Sequence, residues 1–352
     1  MSFINHQPPK LCCLSVHTLC GVATTPIIYF SSASQLKLIL LTSLLISSCR
    51  SSWLALWVRL ELNIIVFIPI LMGDGILISL ENRLKYFLVQ SVASLWFIFS
   101  SFISSIIMTS SLSVIILLAI AIKLGLAPFH GWFVSIITAT TFPIIFFLST
   151  VQKFIPLLIL RLLPSSYALI IVLVLVTLLS VITIGITQTS LKKLFAVSSL
   201  NNVRWLLIGT QINLAVWNLY LIIYMVLLVP LLQVLSSLGN QHLAHRLIIS
   251  LPNRIKLGLV VLLLSLGGLP PFLGFFNKLM IIKIIMARIL LLLLIVCRSL
   301  ILLYYYLSWS FFILSILPIN ATPISHTSSS IIRLGLISQS LGLILLLFSC
   351  YY

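Results

Sequence analysis

Apolar stretches long enough to cross a lipid bilayer recur along the chain from about residue 27 to the end, with short polar connections between them. About 20 mainly apolar residues cross roughly 30 Å of hydrocarbon as a helix. By that measure the pattern predicts eleven spans, at residues 27–48, 53–72, 85–107, 112–133, 138–160, 167–187, 191–210, 213–236, 256–277, 279–312 and 331–351. The seventh opens LKKLFAVSSLNNVRW and is polar for a span, which leaves ten as the alternative count. The longest polar connections, about 237–255 and 317–330, are too short to enclose a core of their own. The expected fold class is an all-α polytopic membrane protein of about 11 transmembrane helices.

Composition strengthens this reading. The 352 residues are 61% hydrophobic and 7% charged, with a mean hydropathy of +1.30, whereas soluble domains run near a quarter charged. The net charge of +17 does not indicate nucleic acid. Readers of nucleic acid gather basic residues on one solvated face, and here they are scattered between and inside apolar segments. Neither nucleic acid nor a soluble substrate is expected as a partner. Only three acids occur, Glu61, Asp74 and Glu81.

The six cysteines form no CxxC pair or other metal-ligand spacing. His242 and His245 stand in a polar connection, GNQHLAHR, where solvated side chains are the ordinary reading. No nucleotide-binding or nucleophile-elbow motif is present, so no cofactor is expected on this chain. No Arg-rich amphipathic presequence precedes the first span, and residues 1–27 read as a leader of unknown role. Basic residues favour the even connections, with Arg83, Lys85, Lys192, Lys193, Arg246, Arg254 and Lys256 there. That bias places the N-terminus on the side of synthesis, with Arg50 and Arg161 against the trend.

Two apolar segments carry helix breakers at matching places. LGLAPFHGWF at 124–133 and GGLPPFLGFF at 267–276 agree at six of ten positions, 143 residues apart: Gly125 and Gly268, Leu126 and Leu269, Pro128 and Pro271, Phe129 and Phe272, Gly131 and Gly274, Phe133 and Phe276. Pro270 adds a second proline to the later segment. A lone proline in a span is often just a kink. Paired Gly/Pro interruptions in corresponding positions point instead to an internal repeat of the kind secondary transporters use, with the working site beside the breaks. Freed backbone groups inside hydrocarbon persist only where other helices bury them or where they line a wet cavity.

Charged residues accompany both interruptions. Lys123 precedes the first by one residue, Lys278 follows the second by two, and Lys153 lies deep in the next span, three residues before Pro156. Glu61 sits well inside the second span. Each such charge costs about 2.5–3.5 kcal/mol at a span centre, so it must face water or another polar group. For a lysine near a helix end the ordinary alternative is snorkelling to the headgroups, which applies most to Lys278 and least to Lys153. Arg59 does not pair with Glu61 locally, because residues two apart on a helix point in different directions.

Burial favours the neutral amine and a nearby carboxylate favours the ammonium, so a row of such lysines can take up and release protons. The energies are commensurate: one charge moved against 100 mV costs about 2.3 kcal/mol, and one pKa unit is about 1.36 kcal/mol.

KLGLAPFHGWF, VQKFIP, ITQTSLKKLFAVSSL, SLGGLPPFLGFFNK and WVRLELNIIVFIP resemble, in type and spacing, the subunit 2 family of mitochondrial NADH:ubiquinone oxidoreductase, respiratory complex I. The resemblance runs from about residue 28 to the C-terminus. It implies an antiporter-like, proton-pumping subunit of the membrane arm in the mitochondrial inner membrane, where the loop-charge bias puts the N-terminus on the matrix side. It also implies two inverted repeats, each holding a broken helix. On this chain they would be about 28–163 and 164–312, within one transmembrane domain at 28–352 whose final helix is about 331–351.

By the same resemblance Glu61 tunes Lys123, Lys153 relays protons centrally, Lys278 exchanges them near an outlet, and His130 matches a histidine of the first break. Other membrane-arm and accessory subunits, and lipids such as cardiolipin, are the implied partners. NADH, flavin, iron–sulfur clusters and ubiquinone belong on other subunits. The chain departs from the family pattern at Val134 and Ser135, where a Pro-Glu pair is common. Further departures are Asn202 for a histidine, Arg204 for a glycine and Ser308 for a basic residue. Two alternatives stay open: a stand-alone cation/proton antiporter, and a non-conducting scaffold subunit of the same complex. A seven-helix receptor has too few spans and no repeated break.

Overall fold

The computed structural model describes residues 52–71, 76–107, 111–162, 169–177, 190–211, 214–237, 253–285, 289–315, 335–340 and 342. Residues 1–27, the expected span at 27–48, Asp74, His242, His245 and most of the expected final span lie outside them. The described residues form helices: α1 Trp53–Ile70, α2 Ile76–Ile107, α3 Ser111–Leu124, α4 Gly131–Ala139, α5 Phe142–Ser149, α6 Val151–Leu162, α7 Leu191–Thr210, α8 Leu214–Ser237, α9 Asn253–Gly267, α10 Leu273–Ile285 and α11 Ile289–Ser315. Residues 169–177 and 335–340 are also helical.

Local chemistry sets several of these ends. Ser52 caps α1, its hydroxyl accepting from the backbone N–H of Ala55 at 3.4 Å. Pro143 opens α5, where its missing N–H costs nothing. Thr150 separates α5 from α6 and donates to the carbonyl of Phe146 at 2.6 Å, and the two helices together read as one crossing, Phe142–Arg161. Among the described residues four further helices are long and apolar enough to cross a membrane: Trp53–Ile70, Leu80–Ile103, Ala215–Ser236 and Leu292–Ser315. On α2 the exposed Leu84, Leu88, Leu95 and Phe99 recur at helical spacing, an apolar strip of the kind that faces lipid.

The expected spans at 112–133 and 256–277 are each two helices with an irregular turn between them. The turns repeat at the backbone level. Gly125 and Gly268 both take positive φ, +68° and +82°. In the first turn Gly125 N–H donates to Ile122, Leu126 to Ala121 and Phe129 to Leu126. In the second, Gly268 donates to Ser265, Leu269 to Leu264 and Phe272 to Leu269. These three bonds match at the 143-residue offset, and the Ala127–Pro128 and Pro270–Pro271 peptides are cis in both. Burial is uneven across the breaks. Gly125, Leu126 and Ala127 are buried, but Pro128, Phe129, Pro270 and Pro271 are exposed. The prolines left outside are residues with no N–H to satisfy.

The polar segment that left the span count open is α7, which holds the centre. It packs against α4, α6, α8, α10 and α11, and of its residues Lys193 alone is not buried. Its polarity follows from facing other helices on all sides rather than lipid. Lys192, expected in a connection, therefore lies in the first turn of a buried helix, so it no longer supports the orientation drawn from loop charges.

The repeat is unequal in its packing. A Cβ on Gly131 would meet nothing within 4 Å, whereas one on Gly274 would collide with the backbone carbonyl of Ser265. Gly131→Ala is therefore expected to be neutral or stabilising by up to about 1 kcal/mol. Gly274→Ala should destabilise by about 3 kcal/mol or more. Steady-state level and thermal inactivation of the membrane-embedded protein measure both, and equal effects would refute this packing.

Candidate functional site

Lys123 occupies the last turn of α3, just before the first break, and is 6% exposed. Its Nζ donates to the backbone carbonyl of Gln90 on α2 at 3.3 Å, while the Gln90 side-chain amide donates to the Lys123 carbonyl at 3.2 Å. The reciprocal pair clamps the end of α3 to α2. One turn further along α2, the Ser94 hydroxyl donates to the Glu61 carboxylate of α1. Glu61 also interacts electrostatically with Lys123. Its partner is thus on another helix, as expected, and α2 supplies contacts to both charges.

Lys153, on α6, is 2% exposed. Its Nζ donates to the carbonyl of Ser199 on α7 at 3.3 Å and lies 4.5 Å from the centroid of the Phe133 ring, a cation–π contact. Phe133 belongs to α4, immediately after the first break. The headgroup-reaching geometry that snorkelling would require is absent from both Lys123 and Lys153.

A small cavity of about 10 Å³ joins these lysines. Its wall includes Lys123, Lys153, Asn63, Tyr86, Gln90 and Gln152. Gln152 Oε1 accepts from Asn63 at 2.8 Å and from Tyr86 at 3.1 Å. Asn63 Oδ1 and Gln152 Nε2 have no hydrogen-bond partner among the described residues. One acceptor, one donor and this much room are what a single bridging water needs.

The second break has its own cation. Lys278, in the first half of α10, is 6% exposed, and its Nζ donates to the carbonyl of Gly267, the last residue of α9. It does not line the cavity. Its charged neighbour is Arg204 of α7, which lies five residues after Ser199, about 7.5 Å along the helix axis. The structure thus brings Lys123 and Lys153 to one cavity, with Glu61 in electrostatic range of Lys123 but outside the cavity wall, and leaves Lys278 away from it. His130, half-buried at the end of the first turn and interacting with the backbone of Pro128, is not in the cavity wall.

Sequence reasoning missed Lys192. Its ammonium donates to the carbonyl of Thr140 at the end of α4 and stands 5.4 Å from the Phe142 ring. It also missed Asn63, Gln90, Ser94 and Gln152. The available signal was an amide or hydroxyl inside an apolar run, with Asn63 two residues from Glu61 and Gln152 beside Lys153.

The family model described as NADH:quinone oxidoreductase/Mrp antiporter, TM, matches residues 50–303. NADH-ubiquinone oxidoreductase chain 2 of Anopheles gambiae is 33% identical over 260 residues, covering 71% of this chain and 76% of the relative. That of Artemia franciscana is 38% identical over 231 residues, covering 65% and 72%. Among solved structures, a chain of respiratory complex I from Thermus thermophilus with bound aureothin matches with a TM-score of 0.76 at 21% identity, covering 89% of this chain and 78% of the other. A chain of the Mrp complex from Dietzia sp. DQ12-45-1b matches with a TM-score of 0.72 at 16% identity, covering 89% and 75%.

The clamp between α2 and α3 is open to test. Gln90→Leu leaves the buried carbonyl of Lys123 without its side-chain donor, which should cost about 1–3 kcal/mol. A lowered midpoint of thermal unfolding is expected, and an unchanged midpoint would remove the clamp from this description.

Proposed function

Since the chain belongs to the NADH:quinone oxidoreductase/Mrp antiporter transmembrane family, we propose that it serves as a core membrane-arm subunit of respiratory complex I and carries protons across the mitochondrial inner membrane. The proton movement is coupled to electron transfer from NADH to ubiquinone on other subunits, which hold the flavin, the iron–sulfur clusters and the quinone. Other membrane-arm and accessory subunits and lipids such as cardiolipin surround it, and its N-terminus lies on the matrix side. The observation that carries this reading is the polar cavity whose wall contains two buried lysines, with a carboxylate in electrostatic reach of one of them.

The chemistry assigned to these residues is proton storage and transfer. Lys153 has no carboxylate against it and is held by one carbonyl and one ring face. It can be neutral at little cost, since a neutral amine keeps the hydrogen bond. Lys123 differs in having Glu61 within electrostatic reach. A water in the cavity that both lysines line passes a proton from Lys123 to Lys153, and a change in the hold of Ser94 on Glu61 alters the field at Lys123. From Lys153 the route continues along the hydroxyl and amide face of α7 toward Lys278. His130, at the tip of the first break, stands apart from the cavity and is assigned a peripheral role. The two breaks place irregular backbone beside Lys123 and Lys278.

The stand-alone antiporter reading rests on the likeness to the Mrp complex. Purification distinguishes the two, because the proposed subunit is recovered only within a large NADH-oxidising assembly, and a chain exchanging cations alone in vesicles would favour the other. For the assembly in vesicles, Lys153→Met should lower NADH-driven acidification by roughly 10²-fold, with the assembly intact on a native gel. Unchanged proton movement per NADH would assign the chain a scaffolding role.

A further inference from the structure

No Asp or Glu follows Glu81 anywhere in the chain, yet two guanidinium groups are enclosed in its second half. Arg204 on α7 is 2% exposed and Arg298 on α11 is 7% exposed, and the two interact electrostatically. Arg204 Nη2 donates to Asn201 Oδ1, a neutral dipole that satisfies one N–H without balancing the charge. Arg204 Nε and Nη1 and Arg298 Nη2 are buried with no hydrogen-bond partner among the described residues. Lys278 adds a third buried cation within electrostatic range of Arg204.

A guanidinium cannot shed its proton, so the escape open to a buried lysine is closed to both arginines. An uncompensated buried charge is strongly destabilising, and two of like sign repel. The N–H groups left over carry the donor geometry that recognises an anion. We propose that Arg204 and Arg298 together hold a small monovalent inorganic anion such as chloride.

The placement of Arg298 decides against a larger ligand. It lies on the inner face of α11 with the buried Ile295, Leu302 and Tyr306, while Leu293, Leu300 and Tyr304 of the same helix face outward. Among the described residues α11 therefore covers Arg298 on its outward side, which favours a small ion over a bulky headgroup. The site does not depend on the proton-carrying role proposed above.

The test is anomalous diffraction from crystals of the intact assembly prepared with bromide in place of chloride. A bromide peak within hydrogen-bonding distance of both guanidinium groups is expected at millimolar bromide, and Arg204→Gln should remove it. A site without a peak overturns the proposal, as does a carboxylate or phosphate from a neighbouring molecule against the two arginines. A peak that needs molar bromide, or that persists in Arg204→Gln, overturns it equally. Because the first measurement uses the unaltered protein, failure of the variant to assemble leaves it decisive.

Discussion

Four buried ammonium groups share a mode of support: each donates to a backbone carbonyl rather than to a carboxylate. Lys278 uses Gly267 and Lys192 uses Thr140, where α9 and α4 end, while Lys123 uses Gln90 and Lys153 uses Ser199. With three acids in the whole chain, ion pairs are not the available solution. Helix C-termini leave carbonyls unpaired and carry the negative end of the helix dipole, so stopping a helix next to a lysine creates a weak substitute for an anion. A carbonyl, unlike a carboxylate, does not hold an ammonium so strongly that its proton is trapped. At the second break the interrupted helix and the buried lysine are two sides of one arrangement.

The repeated turns also show where equivalence stops. Three backbone bonds, the positive φ and the Pro128/Pro271 position recur at one offset, but the lysines do not. The position matching Lys123 is Leu266, and the position matching Lys278 is Ser135. Lys278 bonds across its own break, whereas Lys123 is tied to α2, a different helix. The duplicated turn is a frame into which each half places its cation differently. Relative movement of α2 and α3 would alter the hold on Lys123 while leaving Lys278 untouched.

The breaks were legible because glycine and proline act through backbone rules that need no tertiary context, and because the motif occurs twice. Lys123, Lys153 and Lys278 stood out because charge in an apolar run is costly wherever it lies. The position of α7 was not legible in the same way. Hydropathy reports whether a segment suits lipid, and a polar helix wrapped by others suits a protein interior instead, so LKKLFAVSSLNNVRW reads as a doubtful span. Lys192 was misplaced for the same reason. Asn63, Gln90 and Gln152 act by converging from α1, α2 and α6 on one cavity, and convergence is a property of packing that no single stretch of sequence expresses.

The enclosure of α7 bears on how the chain enters its membrane. A helix with Lys192, Asn201, Asn202 and Arg204 along its length would partition poorly from a translocation channel into lipid by itself, since each central cation alone costs about 2.5–3.5 kcal/mol. Its insertion must wait for companions that cover its polar sides, the apolar α8 following directly after it being the nearest. Biogenesis then proceeds by release of helices in groups rather than singly, with the most polar helix the last to lose its aqueous or chaperoned surroundings.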